Sequence, residues 1–209
     1  MKMAVVCANG KEGKLVVKEA LSRGLDVTAV VREQNQSGAK QAIVKDLFAL
    51  TRDDLKGFDV VADAFGAWTA DTIGGIPKAV EHLCDLLAGT QTRLLVVGGA
   101  GSLYVNPQHT ACVADGPDFP DAFKPLAAAH DQALNLLRTR RDVNWTYISP
   151  AADFQAEGVR TGAYRLGGEE LTPNSRGESV ISYADYAIAL VDEAVSGQHA
   201  GQRISVVSC

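Results

Sequence analysis

The chain has 209 residues, 46% hydrophobic and 22% charged, enough for one soluble globular domain with a large core. Its net charge of -5 argues against nucleic acid or an anionic membrane as the main partner. No apolar run reaches membrane-spanning length, the first is too short for a signal peptide, and Cys7, Cys84, Cys112 and Cys209 form no CxxC pair. A cytoplasmic protein with reduced thiols, and neither a disulfide framework nor a zinc site, is the expectation.

The predicted elements begin with Met3-Ala-Val-Val6, a continuous apolar run suited to a parallel strand buried on both faces. Asn9-Gly10 breaks it. Val17, Ala20, Leu21 and Gly24 then recur at i, i+3, i+4 and i+7, the period of a helix with one apolar face. Asp26 to Arg32 reads as a second buried strand, and Glu33 to Lys40 as a polar loop. Ala42-Ile-Val44 makes a short third strand ending at Lys45-Asp46-Leu47. Asp59 to Phe65 is a fourth strand, followed by a loop from Gly66 to Gly75 and a helix on Ile76, Val80, Leu83 and Leu87. Arg93 to Val97 is the fifth strand, ended by Gly98-Gly99-Ala100-Gly101. A long loop with Pro107, Pro117 and Pro120 leads to a helix on Leu126, Ala133, Leu134 and Leu137. Trp145 to Ile148 is the sixth strand, stopped by Ser149-Pro150.

Past Pro150 the rhythm weakens, and Glu157 to Gly168 suggests loops and a short hairpin. Ser182-Tyr-Ala-Asp185 opens a last helix with a capping-box pattern. Its buried stripe is read on Ala184, Ala187, Ile188, Val191 and Val195, and Arg203 to Ser208 is a final strand. Strands alternating with helices specify an α/β fold, a Rossmann-type doubly wound parallel sheet with right-handed crossovers. Residues 1–209 form one domain in this reading, with 151–180 as a small C-terminal cap or substrate lobe. Its two halves meet between the first and fourth strands, and a ligand is expected there, outside the carboxyl ends of the strands.

A glycine-marked turn from strand to helix aims backbone N–H groups and the positive helix end at an anion, usually a dinucleotide pyrophosphate. Cys7, Gly10 and Gly13 have the spacing of G-x-x-G-x-x-G with the first glycine replaced. Cys7 brings a Cβ where the turn must close. Glu12 brings a carboxylate that would repel phosphate unless it faces solvent or pairs with Lys11 or Lys14. Cys7 is either a thiol of lowered pKa, open to redox switching, or a buried inert one, the plainer reading.

Arg32 stands where NAD-specific folds carry an acid for the ribose hydroxyls. A guanidinium there can instead hold the 2′-phosphate of NADP, or be a solvated charge, and Glu33 beside it keeps NADH open. Asp46 can accept from an adenine amino group or cap its own loop. Ser102 and Tyr104 follow the glycine-rich end of the fifth strand, where they can hydrogen-bond a substrate or face water. Leu126-Ala-Ala-Ala-His130 occupies the place of a Tyr-x-x-x-Lys acid/base dyad, so that chemistry is absent. His130 reads first as a satisfied, partly buried histidine and second as a proton donor.

Five segments, Glu19–Arg32, Val97–Leu103, Trp145–Ala151, Arg160–Tyr164 and Ile181–Ala187, resemble the atypical short-chain dehydrogenase/reductase relatives grouped as NADH-flavin reductases. These are similar to the biliverdin reductase B/flavin reductase group, and the resemblance spans nearly the whole chain. It implies that Ala8, Asn9, Gly10, Lys11, Glu12 and Gly13 cradle the pyrophosphate and Arg32 the 2′-phosphate. Asp46 and Leu47 would flank adenine. Ala64, Phe65, Gly66, Gly98 and Gly99 would line the dinucleotide path, with Pro150 at the end of the sixth strand. Cys7 replaces the family's first glycine and Asn9 its usual threonine. His130 matches a histidine of the biliverdin reductase B helix, but Ala152 replaces that group's histidine after the proline, which speaks against biliverdin as substrate.

Flavin reduction asks less of the protein, since hydride can pass from nicotinamide C4 to N5 of a stacked flavin while the protein positions the rings. The expected function is therefore an NAD(P)H-dependent reductase of a flavin or quinone-like acceptor, held between the Gly98–Tyr104 loop and the Arg160–Tyr164 lobe. NADP(H) is preferred, NAD(H) is possible, and a monomer or homodimer is expected. The alternative is a non-catalytic NAD(P) redox sensor. An epimerase or dehydratase is disfavoured by Leu126 and the short C-terminal lobe.

Overall fold

The computed structural model describes residues 1–209. Its first strand, β1 (Lys2–Val6), shows why the sequence folds as layers. Met3 and Val5 enter one core and Ala4 and Val6 the other, all with no exposure, so the strand is covered on both sides. Helix α1 (Lys11–Ser22) follows, then β2 (Asp26–Val31), β3 (Gln41–Val44), β4 (Val60–Asp63) and α2 (Gly75–Leu87). Next come β5 (Arg93–Val97), α3 (Lys124–Thr139) and β6 (Asn144–Ser149). Three short strands, β7 (Asp153–Gln155), β8 (Arg165–Gly167) and β9 (Val180–Ser182), precede α4 (Tyr183–Ser196) and β10 (Gln202–Val207).

The main sheet has the order β3-β2-β1-β4-β5-β6-β10-β8. All of its pairings are parallel except β8 against β10. Met3 lies between Val27 of β2 and Val60 of β4, so the strand order reverses at β1 as the sequence predicts. The Rossmann-type doubly wound sheet is thus present, and it has two cores. One lies under α1 and α4, with Val16, Val17, Tyr186 and Leu190. The other lies under α2 and α3, with Val80, Leu83, Leu134 and Leu137. Each fully buried Val, Leu or Ile contributes about 1.5–3 kcal/mol to this layering. No helix is long and apolar enough to cross a membrane.

Three expectations need correction. Leu21 is 37% exposed, because the face of α1 that meets the sheet runs through Gly13, Val16, Val17 and Ala20. Gly24 lies beyond the helix at φ 74°, where it turns the chain into β2. Val195 is also exposed, since α4 is buried through Tyr186, Ala187, Leu190, Val191 and Ala194 instead. The segment 157–168 contains no hairpin. Its strand β8 joins the edge of the main sheet, and β7 pairs in parallel with β9, a partner 25 or more residues away.

Residues 151–180 are moored to the helix layer by polar contacts. Ser182 caps α4 by accepting from the N–H of Asp185 at 3.0 Å. The Asp185 carboxylate accepts from Thr161 N–H at 3.0 Å, Thr161 Oγ1 at 2.7 Å and Gly162 N–H at 2.8 Å. Tyr164 Oη donates to Asp192 at 2.6 Å, and Arg160 donates to Glu19 of α1 at 3.0 Å. Asp185 is buried, so its removal strands three donors. Asp185→Ala is expected to cost about 3 kcal/mol. Thermal denaturation should show a fall of about 6–12 °C, and limited proteolysis should open the chain near Thr161.

Candidate functional site

The turn after β1 is built around a close approach. A Cβ on Gly13 would stand 2.5 Å from the carbonyl oxygen of Cys7 and 2.9 Å from the Cα of Ala8, so only glycine lets α1 begin there. Gly10, whose N–H donates to Cys7 O at 2.9 Å, is the N-cap, and no side chain caps α1. Cys7 holds φ 58°, a left-handed conformation that explains why its position favours glycine. Its thiol is pushed up to about 12 by burial and then by the charge of Asp63, so it is no activated thiolate. Asn9 ties the turn to the next loop, donating to Gln34 O at 2.9 Å and accepting from Gln36 N–H at 2.7 Å.

Above this turn lies an open cleft of about 1320 Å³ across the carboxyl ends of β1, β2, β4 and β5. Asn9, Gly10, Lys11 and Glu12 form its floor, with Ala64, Phe65 and Gly66 from the end of β4 and Gly98 from the end of β5. At one end stand Arg32, Asp46 and Leu47. Arg32 is exposed and makes no hydrogen bond or ion pair, whereas Lys45 nearby is committed to Asp54 at 2.7 Å. Asp46 caps its own turn by accepting from Phe48 N–H at 2.9 Å, one of its two expected roles. Phe48, Trp68 and Lys78 line the cleft without having been singled out from the sequence. Their position just after a predicted strand end is the signal the sequence offers for the two aromatics, and both are exposed, Trp68 at 67% and Phe48 at 47%.

At the opposite end the lining is Val97, Gly98, His130, Phe154, Ala156 and Tyr183. His130 is reached by Tyr147, whose hydroxyl lies 3.3 Å from Nδ1 and accepts from Gly99 N–H at 3.0 Å. Burial lowers the imidazole to about 4, so His130 is neutral at physiological pH. A Cβ on Gly99 would lie 2.8 Å from the His130 ring, and one on Gly98 2.4 Å from the Tyr147 ring. Asp63, buried at the end of β4, accepts from Phe65 N–H at 3.0 Å and is pushed up to about 7 by desolvation.

Glu12 neither faces solvent nor pairs with a lysine. It is 7% exposed, and neither of its carboxyl oxygens has a partner. Lys11 is engaged elsewhere, 3.3 Å from Glu157. Burial drives the Glu12 pKa well above the usual carboxylate range.

The predicted residues Ala8, Gly13, Gly99 and Pro150 are packed behind the cleft lining rather than on it. Ser102 and Tyr104 lie outside the cleft, contrary to expectation. Arg203 of β10 donates to Ser102 Oγ at 2.9 Å and to its carbonyl at 3.0 Å. Tyr104 stacks on His109 with ring centroids 4.2 Å apart, under the same arginine. Arg203 comes from 101 residues away, so nothing local announces this network.

A cradle free of Cβ atoms at a helix N-terminus, leading to an unpaired guanidinium, fits an extended dinucleotide. Comparison with known proteins agrees. The chain is 56% identical to the crystal structure of SP1627, a putative NADH-flavin reductase from Streptococcus pneumoniae TIGR4, with a TM-score of 0.98 and 100% of both chains covered. It is 40% identical over 210 residues to the uncharacterized protein YwnB of Bacillus subtilis (strain 168), covering 100% of this chain and 99% of that one. A putative epimerase from Bacteroides thetaiotaomicron is 34% identical, with a TM-score of 0.82 and coverage of 99% and 96%. The NAD(P)H-binding family profile matches residues 7–194, and the chain belongs to that family.

Proposed function

We propose that the protein is an NAD(P)H-dependent reductase that prefers NADP(H) and transfers hydride to a flavin or quinone-like acceptor. The observation that carries this reading is the free Arg32 guanidinium at the end of β2, in the cleft over the switch point. The 56% identity to SP1627 supports the reductase chemistry.

When bound, the nicotinamide cofactor supplies the hydride. The uncapped N-terminus of α1, just after Gly10, offers N–H groups and the helix dipole to a pyrophosphate, and Gly13 keeps that surface close to β1. Arg32 would take the 2′-phosphate through charge-assisted hydrogen bonds. Asp46 caps its turn through Oδ1 alone, which leaves Oδ2 to accept from an adenine amino group. With Leu126 in place of a dyad tyrosine, the protein's contribution at the acceptor is positioning and exclusion of water. Val97, Phe154 and Tyr183 present apolar and aromatic surface at that end, suited to a planar ring system.

Consumption of NADPH with FMN, riboflavin and a small quinone tests the reading. Turnover with at least one acceptor is expected, and cofactor binding without any turnover overturns it in favour of a redox sensor. Arg32→Glu is expected to weaken NADPH binding by about 2–4 kcal/mol and leave NADH almost unchanged, measured by calorimetry. An equal response of both cofactors would show that Arg32 is no phosphate ligand. Only one of the two tryptophans is exposed, Trp68 at 67% against Trp145 at 5%. Cofactor addition should therefore quench intrinsic fluorescence in the wild type and leave Trp68→Phe nearly unchanged.

A further inference from the structure

One face of α2 turns toward the short segment that follows β3, and the contacts on either side of Lys78 fix where its side chain lies. Gly75, Lys78 and His82 recur at i, i+3 and i+7 and so form one stripe of the helix. At the start of that stripe the Phe65 ring presses on the backbone, and a Cβ on Gly75 would stand 2.9 Å from Phe65 Cζ. At its end His82 Nε2 lies 3.2 Å from Leu50 O, and the imidazole centroid is 6.2 Å from that of Phe48. Phe48 and Phe65 meet edge to face, with centroids 6.3 Å apart. Lys78 therefore stands over this aromatic pair, one turn from His82 toward the start of α2, and lines the cleft there with Gly74 and Gly75.

Arg32 reaches the same wall from the sheet. Val30 faces the core under α2 and α3 and Val31 the core under α1, so the alternation of β2 returns the next side chain to the α2 side. The Asp46–Phe48 turn lies between the two cations. Both are exposed and neither has an acidic partner, although Glu33, Asp46 and Asp71 also line the cleft. The remaining lysines of the lining are taken, Lys45 by Asp54 and Lys11 by Glu157. A phosphate monoester carries close to two negative charges at neutral pH, whereas a ribose hydroxyl carries none. One guanidinium matches one of those charges. The other calls for a second cation on the same side.

We propose that Lys78 is that second cation for the 2′-phosphate, across the Asp46–Phe48 turn from Arg32, and so a specificity-determining residue for NADP(H) over NAD(H). This deepens the reductase reading and rests on its placement of the 2′-phosphate at Arg32. The two side chains differ in what they offer. The planar fork of Arg32 can take two phosphate oxygens at once, while the Lys78 ammonium is a point charge on a flexible stem that can follow the third. Phe48 and Phe65 give that stem an apolar surface to lie on, which keeps the ammonium at the cleft wall. The pyrophosphate is served instead by the N-terminus of α1, a helix on the opposite face of the sheet. A contact to pyrophosphate would act on NADH and NADPH alike, whereas a contact to the 2′-phosphate acts on NADPH alone.

The test is the calorimetric Kd of NADPH and NADH for wild type, Lys78→Gln, Lys78→Arg and Arg32→Gln. Adenosine 2′,5′-bisphosphate and adenosine 5′-monophosphate, which differ only by the 2′-phosphate, repeat it without the nicotinamide. Lys78 is exposed, so its substitution leaves the core intact. Lys78→Gln is expected to weaken NADPH and the bisphosphate about tenfold, and NADH and the monophosphate less than about twofold. Lys78→Arg keeps the charge and should recover most of the NADPH affinity. The double variant should prefer NADPH less than either single glutamine variant does. A role confined to packing α2 would not divide the two cofactors in this way. Unchanged NADPH affinity in Lys78→Gln, or an equal loss for NADPH and NADH, overturns this inference and leaves the reductase reading standing on Arg32. Wild-type protein that binds neither dinucleotide overturns the reductase reading and this inference with it.

Discussion

A single close approach, Gly13 Cα against the carbonyl of Cys7, sets where α1 starts, and with it the position of every group in the cleft floor. A Cβ at Gly13 would have to sit 2.5 Å from that carbonyl oxygen, inside any tolerable contact. Cys7 answers from the other side by adopting φ 58°, a conformation that costs a residue with a Cβ about 1 kcal/mol or more. The surrounding packing must over-determine that strain, and it does. Ala8 N–H donates to Val30 O and Gly10 N–H to Cys7 O, while Val16, Val17 and Ala20 lock the helix onto the sheet. The result is an uncapped helix end held at the point where the strand order reverses.

The parts legible in the sequence are those whose physics is local. Strands buried on both faces must be apolar throughout, so β1, β2 and β5 announce themselves, and the apolar spacing of α2 and α3 does the same. The order β3-β2-β1-β4-β5-β6 then follows from right-handed crossovers. The parts that were illegible depend on partners far along the chain. β7 finds β9, β8 finds β10, and Ser102 and Tyr104 are drawn from the cleft by Arg203. Leu21 shares the helical spacing of Val17, yet Gly24 ends the helix and Leu21 is left 37% exposed. Glu12 is the sharpest case. A carboxylate at a helix N-terminus reads as a solvated charge, and only tertiary packing buries it.

Charge in the molecule is arranged by contrast. Two of the cations lining the cleft are already engaged, Lys45 with Asp54 and Lys11 with Glu157. Burial lowers the His130 pKa to about 4 and raises that of Glu12 well above the usual carboxylate range. Arg32 and Lys78 are the cations left free, and recognition of an anion is strongest where the cation has nothing else to release. The same separation leaves the α4 end of the cleft uncharged and aromatic, so the two ends differ in chemistry before any ligand arrives.

Asn9 gives the cleft one further property. Its side chain fastens the turn after β1 to Gln34 and Gln36 of the next loop, and Asn35 fastens that loop internally by accepting from Ser37 N–H at 2.9 Å and donating to Ala39 O at 2.8 Å. Two loops that would otherwise fluctuate separately therefore move as one body. A ligand spanning both loses little by freezing them, because most of the ordering is complete when the chain folds.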